Sequence, residues 1–230
     1  MQGKLIVLEG IEGGGKSTQL KRLYQWLLSH PRLHILQEQG QIGEVVITRE
    51  PGGTELGAVL RQVLLKPDPS LAIAARAELL LYAADRAQHV EQVIRPALAR
   101  GNWVLCDRFI DSTVAYQGYG RGLDLGLIEQ LNQIATGGLV PDLALWLRLE
   151  AAAGLARTRQ RGERDRMEQA DLAFHQRVQR GFEQLAQAHP ERIVAVEAAA
   201  DEATVGRAVQ NVVEQRLTQW YGAFERSTGL

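Results

Sequence analysis

Short apolar runs alternate along this chain with longer stretches whose apolar residues recur every three or four positions. The first run, Lys4-Leu5-Ile6-Val7-Leu8-Glu9, is apolar without alternation, as expected of a parallel strand covered on both faces. Residues 19–28 then place Leu20, Leu23 and Leu27 at helical intervals. That helix should fade near Ser29-His30-Pro31, because a proline disfavours helix at the residue before it. Residues 31–43 mix Leu33, Ile35 and Leu36 with glutamines and two glycines, and read as a surface excursion. Residues 44–48 form a second strand, Pro51-Gly52-Gly53 a turn, and Thr54 the cap of a helix from 55 to about 65.

Residues 66–75 connect to a long helical pattern starting at Arg76 and carrying Leu79, Leu80, Tyr82, Val90, Val93 and Ile94, with Pro96 able to kink its end. A third buried strand at 102–106 delivers Asp107 and Arg108 at its C-terminal end. Residues 112–118 read as a short polar helix or turn, followed by a glycine-rich loop through Arg121-Gly122 and a helix from about 124 to 135 that Gly137-Gly138 ends. After a fourth strand at 143–147, Arg157, Arg159, Arg161, Arg164 and Arg166 fall within ten residues. Gly162 interrupts the helical pattern there and leaves a basic loop. Helix at 170–188, a fifth strand at 192–196 and a closing helix from 202 to about 221 complete the chain. The alternation specifies an α/β fold: a doubly wound parallel five-stranded sheet flanked by helices, in one domain over residues 1–230.

Composition narrows the function by exclusion. A formal net charge of -1 gives no electrostatic footprint for nucleic acid or an anionic membrane. No apolar segment approaches the ~18 residues of a membrane span. The single cysteine, Cys106, permits no intrachain disulfide and points to a reducing compartment. A phosphate-loop pattern starting at residue 10 leaves no room for a targeting peptide ahead of it, so the expected location is the cytoplasm.

The chemistry begins in that pattern. Gly10-Ile11-Glu12-Gly13-Gly14-Gly15-Lys16-Ser17-Thr18 fits G-x-x-x-x-G-K-[ST] between a strand and a helix, the context that a P-loop NTPase-type nucleotide site requires. Glycines let backbone N–H groups turn inward around phosphate oxygens, and the helix N-terminus adds a favourable dipole. Lys16 would reach the terminal phosphates of ATP, and the Ser17 hydroxyl would hold Mg²⁺. Asp107, ending a strand, suits the same metal, and Arg108 beside it suits an anion. Arg49 ends the second strand, where open α/β sheets bind ligands. Tyr82 and Arg86, four apart, share a helix face, and on spacing alone they read as a packing ring beside a surface cation. The arginine-rich stretch reads as a lid at about 157–168 that closes over phosphates and supplies transition-state charge.

Taken in order, Gly10-x-Glu12-Gly13-x-Gly15-Lys16-Ser17-Thr18, Arg49-Glu50-Pro51-Gly52-Gly53-Thr54, Tyr82-x-x-x-Arg86, Asp107-Arg108-Phe109 and Ser112-Thr113-x-Ala115-Tyr116-Gln117-Gly118 resemble the thymidylate kinase family, over residues 4 to about 218. The resemblance implies transfer of the ATP γ-phosphoryl to dTMP with Mg²⁺, and a two-fold homodimer. It implies that Glu12 holds the sugar 3′-hydroxyl, Arg49 and Arg108 grip the acceptor phosphate, and Tyr82 stacks on thymine. Arg86 would donate to the O4 edge, Thr113 and Gln117 would lie near the base, and Tyr116 would crowd the 2′ position. Some members carry a catalytic arginine where this chain has Gly13, so the lid arginines Arg157, Arg159 and Arg161 are the expected substitutes. This chain departs from the family's usual residues at Phe109, at Arg148, where an aspartate is usual, and at Glu197-Ala198-Ala199-Ala200. Two rivals stand beside this reading: a kinase for another nucleoside or nucleotide, and a nucleotide-dependent switch or ATPase module, which would have no use for Arg49-Glu50-Pro51 or for the lid.

Overall fold

A computed structural model describes residues 3–66, 68, 70–162 and 165–222, without the side chain of Arg161. Five strands, β1 (Lys4–Glu9), β2 (Val45–Arg49), β3 (Trp103–Asp107), β4 (Leu143–Arg148) and β5 (Ile193–Glu197), form one parallel sheet in the order β2-β3-β1-β4-β5. Ten α-helices connect them among the described residues: α1 (Lys16–Leu28), α2 (Pro31–Glu38), α3 (Glu55–Leu65), α4 (Ala75–His89), α5 (Arg95–Ala99), α6 (Ile110–Thr113), α7 (Leu125–Thr136), α8 (Ala151–Arg161), α9 (Leu172–Ala188) and α10 (Glu202–Tyr221).

The unbroken apolarity of β1 has the expected cause. Ile6 and Leu8 join a core with Leu23 and Leu27 of α1 and Val213 and Leu217 of α10. Leu5 and Val7 face the opposite way, onto Val90, Ile94, Ala97, Val104 and Cys106. All four β1 residues are fully buried, each worth about 1.5–3 kcal/mol of transfer free energy.

The structure departs from the sequence expectations at several places. Residues 31–38 form α2 rather than an irregular excursion, because Pro31 starts a helix well even as it ends the preceding one. Leu33 and Leu36 bury, and the Arg32 guanidinium reaches Thr218 Oγ1 (3.1 Å) and the Leu217 and Gly222 carbonyls at the end of α10. At Pro96 the helix is distorted rather than stopped, in line with the kink expected there. A π-helical turn (Val90–Ile94) precedes it, in which the Arg95 N–H bonds back to the Val90 carbonyl, and the chain runs on helically to Ala99. A second π-helical turn (Val114–Gly120) follows α6, so residues expected to be a short polar helix or turn are instead a largely buried helix. Finally, α8 stays helical through Arg161, and Gly162, at φ 108, ends it. Arg157 and Arg159 therefore sit on a helix rather than a loop, while residues 163 and 164 lie outside the described residues.

Strand register places the chemistry. Asp107 is paired with Leu8 on one side and with Arg49 on the other, so Glu9, Arg49 and Asp107 end three adjacent strands at one edge of the sheet. That is the end at which open parallel sheets bind ligands.

Candidate active site

The loop leaving β1 is shaped by contacts that admit no side chain. Gly10 has φ 137, and a Cβ there would lie 2.7 Å from the Leu147 carbonyl. Gly13 has φ 71, and its Cβ would lie 2.3 Å from the Gly154 carbonyl of α8. Gly15, left-handed at φ 83, starts α1, and no side chain caps that helix. The amides of its first turn are thus left for an anion. Lys16 Nζ bonds the Gly10 and Ile11 carbonyls at 3.1 and 2.8 Å. Burial, reinforced by the nearby Arg108, brings its pKa down to about 8. Ser17 Oγ donates to Asp107 Oδ2 at 2.6 Å, so the two expected metal ligands are adjacent. Among the described residues no cluster of three or more acidic, His or Cys ligands exists. Two hard oxygens beside a phosphate loop fit Mg²⁺, which takes most of its ligands from water and phosphate.

Arg108 is the pivot between this loop and the rest of the cleft. It holds φ 71, uncommon and strained for a residue with a Cβ. Its Nη1 donates to the Gly10 carbonyl (2.9 Å) and Ser112 Oγ (3.0 Å), and its Nη2 to Glu12 Oε1 (2.9 Å) and Tyr116 Oη (3.1 Å). The guanidinium also lies 4.8 Å from the Tyr116 ring centroid. Tyr116 Oη donates to the Glu12 carboxylate at 2.6 Å, and His175 Nδ1 stands 3.4 Å from its Oε2. Burial alone would raise the Glu12 pKa, but Arg108, His175, Lys16 and Tyr116 hold it well below the usual carboxylate range. Behind them, Glu9 accepts from the Phe109 N–H (2.8 Å) and the Ser112 hydroxyl (2.5 Å); burial, with Asp111 nearby, pushes its pKa up to about 7.

These groups open onto a cleft of about 280 Å³, near the lower end of small-molecule sites, roughly 300 Å³. Gly13, Gly15, Lys16, Ser17 and Thr18 line it on the loop side, with Glu12 and Asp107 beside them. Arg49, Tyr82, Arg86, Arg108, Thr113, Tyr116 and Gln117, every residue expected around the acceptor, line the rest. Ile11 is buried in the core instead, and Gly10 and Gly14 shape the loop from behind. Arg86 is no surface cation: it is 2% exposed, and its neighbours take four of its five N–H donors.

The lid arginines are arranged differently. Arg157 donates to the carbonyls of Ala198 (3.0 Å), Ala199 (3.1 Å) and Gly13 (3.5 Å), on the outer side of the phosphate loop. Arg159 is exposed, and neither it nor Arg157 lines the cleft. The expected placement of Arg161 and Arg164 falls outside the described side chains. Asp165, Met167 and Glu168 line the cleft from the far end of the lid, and Arg166 anchors that segment through Nε to the Leu64 carbonyl (2.7 Å) and Nη2 to Glu78 (2.6 Å).

Sequence reasoning passed over several contributors. Arg61 of α3 lines the cleft and bonds the Pro51 carbonyl; burial, then the neighbouring Arg49, lowers its pKa. The side chain of Arg49 has no hydrogen-bond or ion-pair partner among the described residues, and it lines the same cleft as Arg61. Glu50, buried, binds both Arg86 and His89. Arg61 carries one available signal: it lies on the helix launched by the Arg49-Glu50-Pro51 turn.

A phosphate loop facing a second, cation-lined anion pocket across one cleft defines a phosphotransferase that brings two nucleotides together, of the nucleoside monophosphate kinase type. Family comparison agrees and is more specific: residues 8–209 match the thymidylate kinase family. The chain is 57% identical over 228 residues to the thymidylate kinase of Cyanothece sp. (strain PCC 7425 / ATCC 29141), covering 96% of this chain and 97% of that one. It is 53% identical to that of Thermosynechococcus vestitus (strain NIES-2133 / IAM M-273 / BP-1), covering 99% and 94%. The crystal structure of thymidylate kinase from Ehrlichia chaffeensis superposes with a TM-score of 0.71 at 32% identity, over 93% of this chain and 99% of that one. The chain belongs to the thymidylate kinase family, phosphotransferases acting on dTMP.

Proposed function

We infer that the protein phosphorylates dTMP to dTDP with Mg-ATP. The observation that carries this reading is the single cleft in which the phosphate loop and Asp107 face Arg49, Arg108, Tyr82 and Arg86. ATP phosphates sit on the loop amides and Lys16, while Arg49 and Arg108, helped by Arg61, hold the acceptor phosphate in line. Ser17 and Asp107 would hold Mg²⁺, which would supply positive charge against the transferring phosphoryl. Positioning and electrostatics supply the catalysis, because little covalent chemistry is left to the protein. Tyr82 stacks on the base and Arg86 donates to its 4-carbonyl; Thr113 and Gln117 complete that edge. Glu12 holds the 3′-hydroxyl, and Tyr116, locked onto Glu12 and Arg108, crowds the 2′ position. Arg157, Arg159 and Arg161 bring positive charge to the donor side as α8 closes.

Exposed apolar side chains on α3 and α4, Leu56, Val59 and Leu80, with Ile47 on the edge strand β2, support a two-fold dimer through that face. The buried free thiol of Cys106 agrees with a cytoplasmic location, and no described helix is long and apolar enough to cross a membrane.

A panel of nucleoside monophosphates with Mg-ATP, scored by ADP release, tests the assignment. The expected result is a kcat/KM for dTMP at least about 100-fold above those for dCMP, UMP and dGMP. No ADP release with dTMP, or equal use of dCMP, overturns it. Sedimentation at micromolar concentration tests the dimer.

A further inference from the structure

Two residues that do not line the cleft, Glu78 and Asn132, bond directly to two that do, Gln117 and Arg86. A guanidinium has five N–H donors and no acceptor. In Arg86, Nε donates to Glu50 Oε2 (2.8 Å), Nη1 to Thr113 Oγ1 (2.8 Å) and Asn132 Oδ1 (2.8 Å), and Nη2 to the Phe109 carbonyl (3.0 Å). Four donors are spent, and one N–H on Nη2 remains for whatever occupies the cleft that Arg86 lines. Asn132, brought against Arg86 by the packing of α7 on α4, must present its oxygen, because its partner can only donate.

The same logic fixes Gln117. Its Nε2 donates at 2.8 Å to Glu78 Oε1, a carboxylate 1% exposed. Glu78 also binds Arg121 (3.1 Å) and Arg166 (2.6 Å), which keep it an acceptor: its pKa lies below the usual value, although burial alone would raise it. A carboxylate that only accepts allows a single orientation of the Gln117 amide. Its Oε1 is left toward the cleft with no protein partner among the described residues.

We propose that Glu78 and Asn132 are the positioning residues that set acceptor-base specificity, by fixing a donor on Arg86 and an acceptor on Gln117. That pair complements a pyrimidine with a 4-carbonyl and a protonated N3. It mismatches one with a 4-amino group and a bare N3, where donor meets donor and acceptor meets acceptor. Buried polar groups left unpaired by the wrong base make such a site discriminate far more strongly than shape does. The inference rests on Arg86 and Gln117 facing the base, as the proposed function has it.

The test compares kcat/KM for dTMP and dCMP. In Glu78→Gln, the new side chain can donate, so the Gln117 amide is free to turn over. The dTMP/dCMP ratio should fall about 10- to 100-fold, through KM for dTMP, with kcat changed less than about threefold. Asn132→Leu should lower the ratio about tenfold, and Asn132→Asp, which keeps the acceptor, should restore it. Should Glu78→Gln fail to fold, the Asn132 pair decides alone. A wild-type ratio in Asn132→Leu overturns the inference, and so does one in folded Glu78→Gln, when Arg86→Lys and Gln117→Ala both shift it. If those two variants leave the ratio unchanged as well, the base-edge assignment itself falls.

Discussion

The acceptor half of the cleft and the lid helix carry the same residue type under opposite conditions. Arg86 and Arg108 are held by side chains and carbonyls of the surrounding elements, one of them in a strained backbone conformation. On α8, Arg157 meets only main-chain carbonyls, and Arg159 is exposed without a partner among the described residues. A guanidinium locked in place measures its ligand, and its ordering entropy is already spent before binding. One left in solvent contributes charge only when something closes. On the proposed reading, the contrast separates recognition, built into the resting fold, from charge delivery, left to the lid.

Removing the phosphate-loop cation that lies between these two regions should have the largest effect. Lys16→Ala is expected to cut kcat/KM for ATP by about 1,000-fold or more, if the lysine stabilises charge on the transferring group as proposed. The folded structure should survive, with the melting temperature shifted by only a few degrees. Steady-state kinetics and a thermal melt check both halves of that statement. Turnover within tenfold of wild type would refute the role.

Moving an arginine from the lid into the loop, as some family members have it, is the next most severe break. Gly13 has φ 71 and abuts the Gly154 carbonyl, while a Cβ on Gly154 would lie 2.5 Å from the Glu12 carbonyl. The two glycines are what let α8 rest on the phosphate loop. Gly13→Arg should push α8 off, with about 1–3 kcal/mol of overpacking cost, roughly 2–10 °C in Tm, and about a 100-fold loss of kcat. A Gly13→Arg enzyme with normal Tm and kcat would show that this contact is dispensable.

What the sequence shows by itself follows the same division. The phosphate loop, the Tyr82–Arg86 face and Asp107-Arg108 were legible because each is a local pattern whose partner lies within the same element or at its end. The order of elements was legible because strands covered on both faces are uninterrupted apolar runs. Asn132, Glu78 and His175 were not legible, and Arg61 was legible only faintly. A polar residue at a helix position looks solvated until a neighbouring helix covers it, and α7, α9 and the lid come from distant sequence. Residues 31–38 misled for a related reason: Arg32 is a polar letter on a face that α10 buries.

Arg157→Ala sharpens the comparison from the lid side. Removing an exposed cation should leave stability within about 0.5 kcal/mol. KM for ATP should rise about tenfold, because the arginine links the phosphate loop to the Ala198-Ala199 segment on the donor side. KM for dTMP should stay near its wild-type value. Equal losses for both substrates would erase the distinction drawn between the two halves.

The smallest catalytic effect is expected behind the acceptor wall, at Glu9. Its buried carboxyl ties β1 to the Phe109 and Ser112 amides, and burial, with Asp111 nearby, raises its pKa from 4.5 to about 7. The sign follows from linkage: a group that binds its proton more tightly when folded stabilises the fold at low pH. That contribution is complete below about 4.5 and is lost as pH rises through about 7. Integrated over the shift, it amounts to about 2–4 kcal/mol. Glu9→Gln keeps a neutral group at every pH and should abolish this component while leaving kcat within about threefold. Denaturant unfolding of both proteins from pH 4.5 to 8 reads the difference directly: wild type should lose stability relative to Glu9→Gln as pH rises. Parallel curves over that range would mean that the Glu9 proton is not held by the fold, and that the rigidity of the acceptor half is anchored elsewhere.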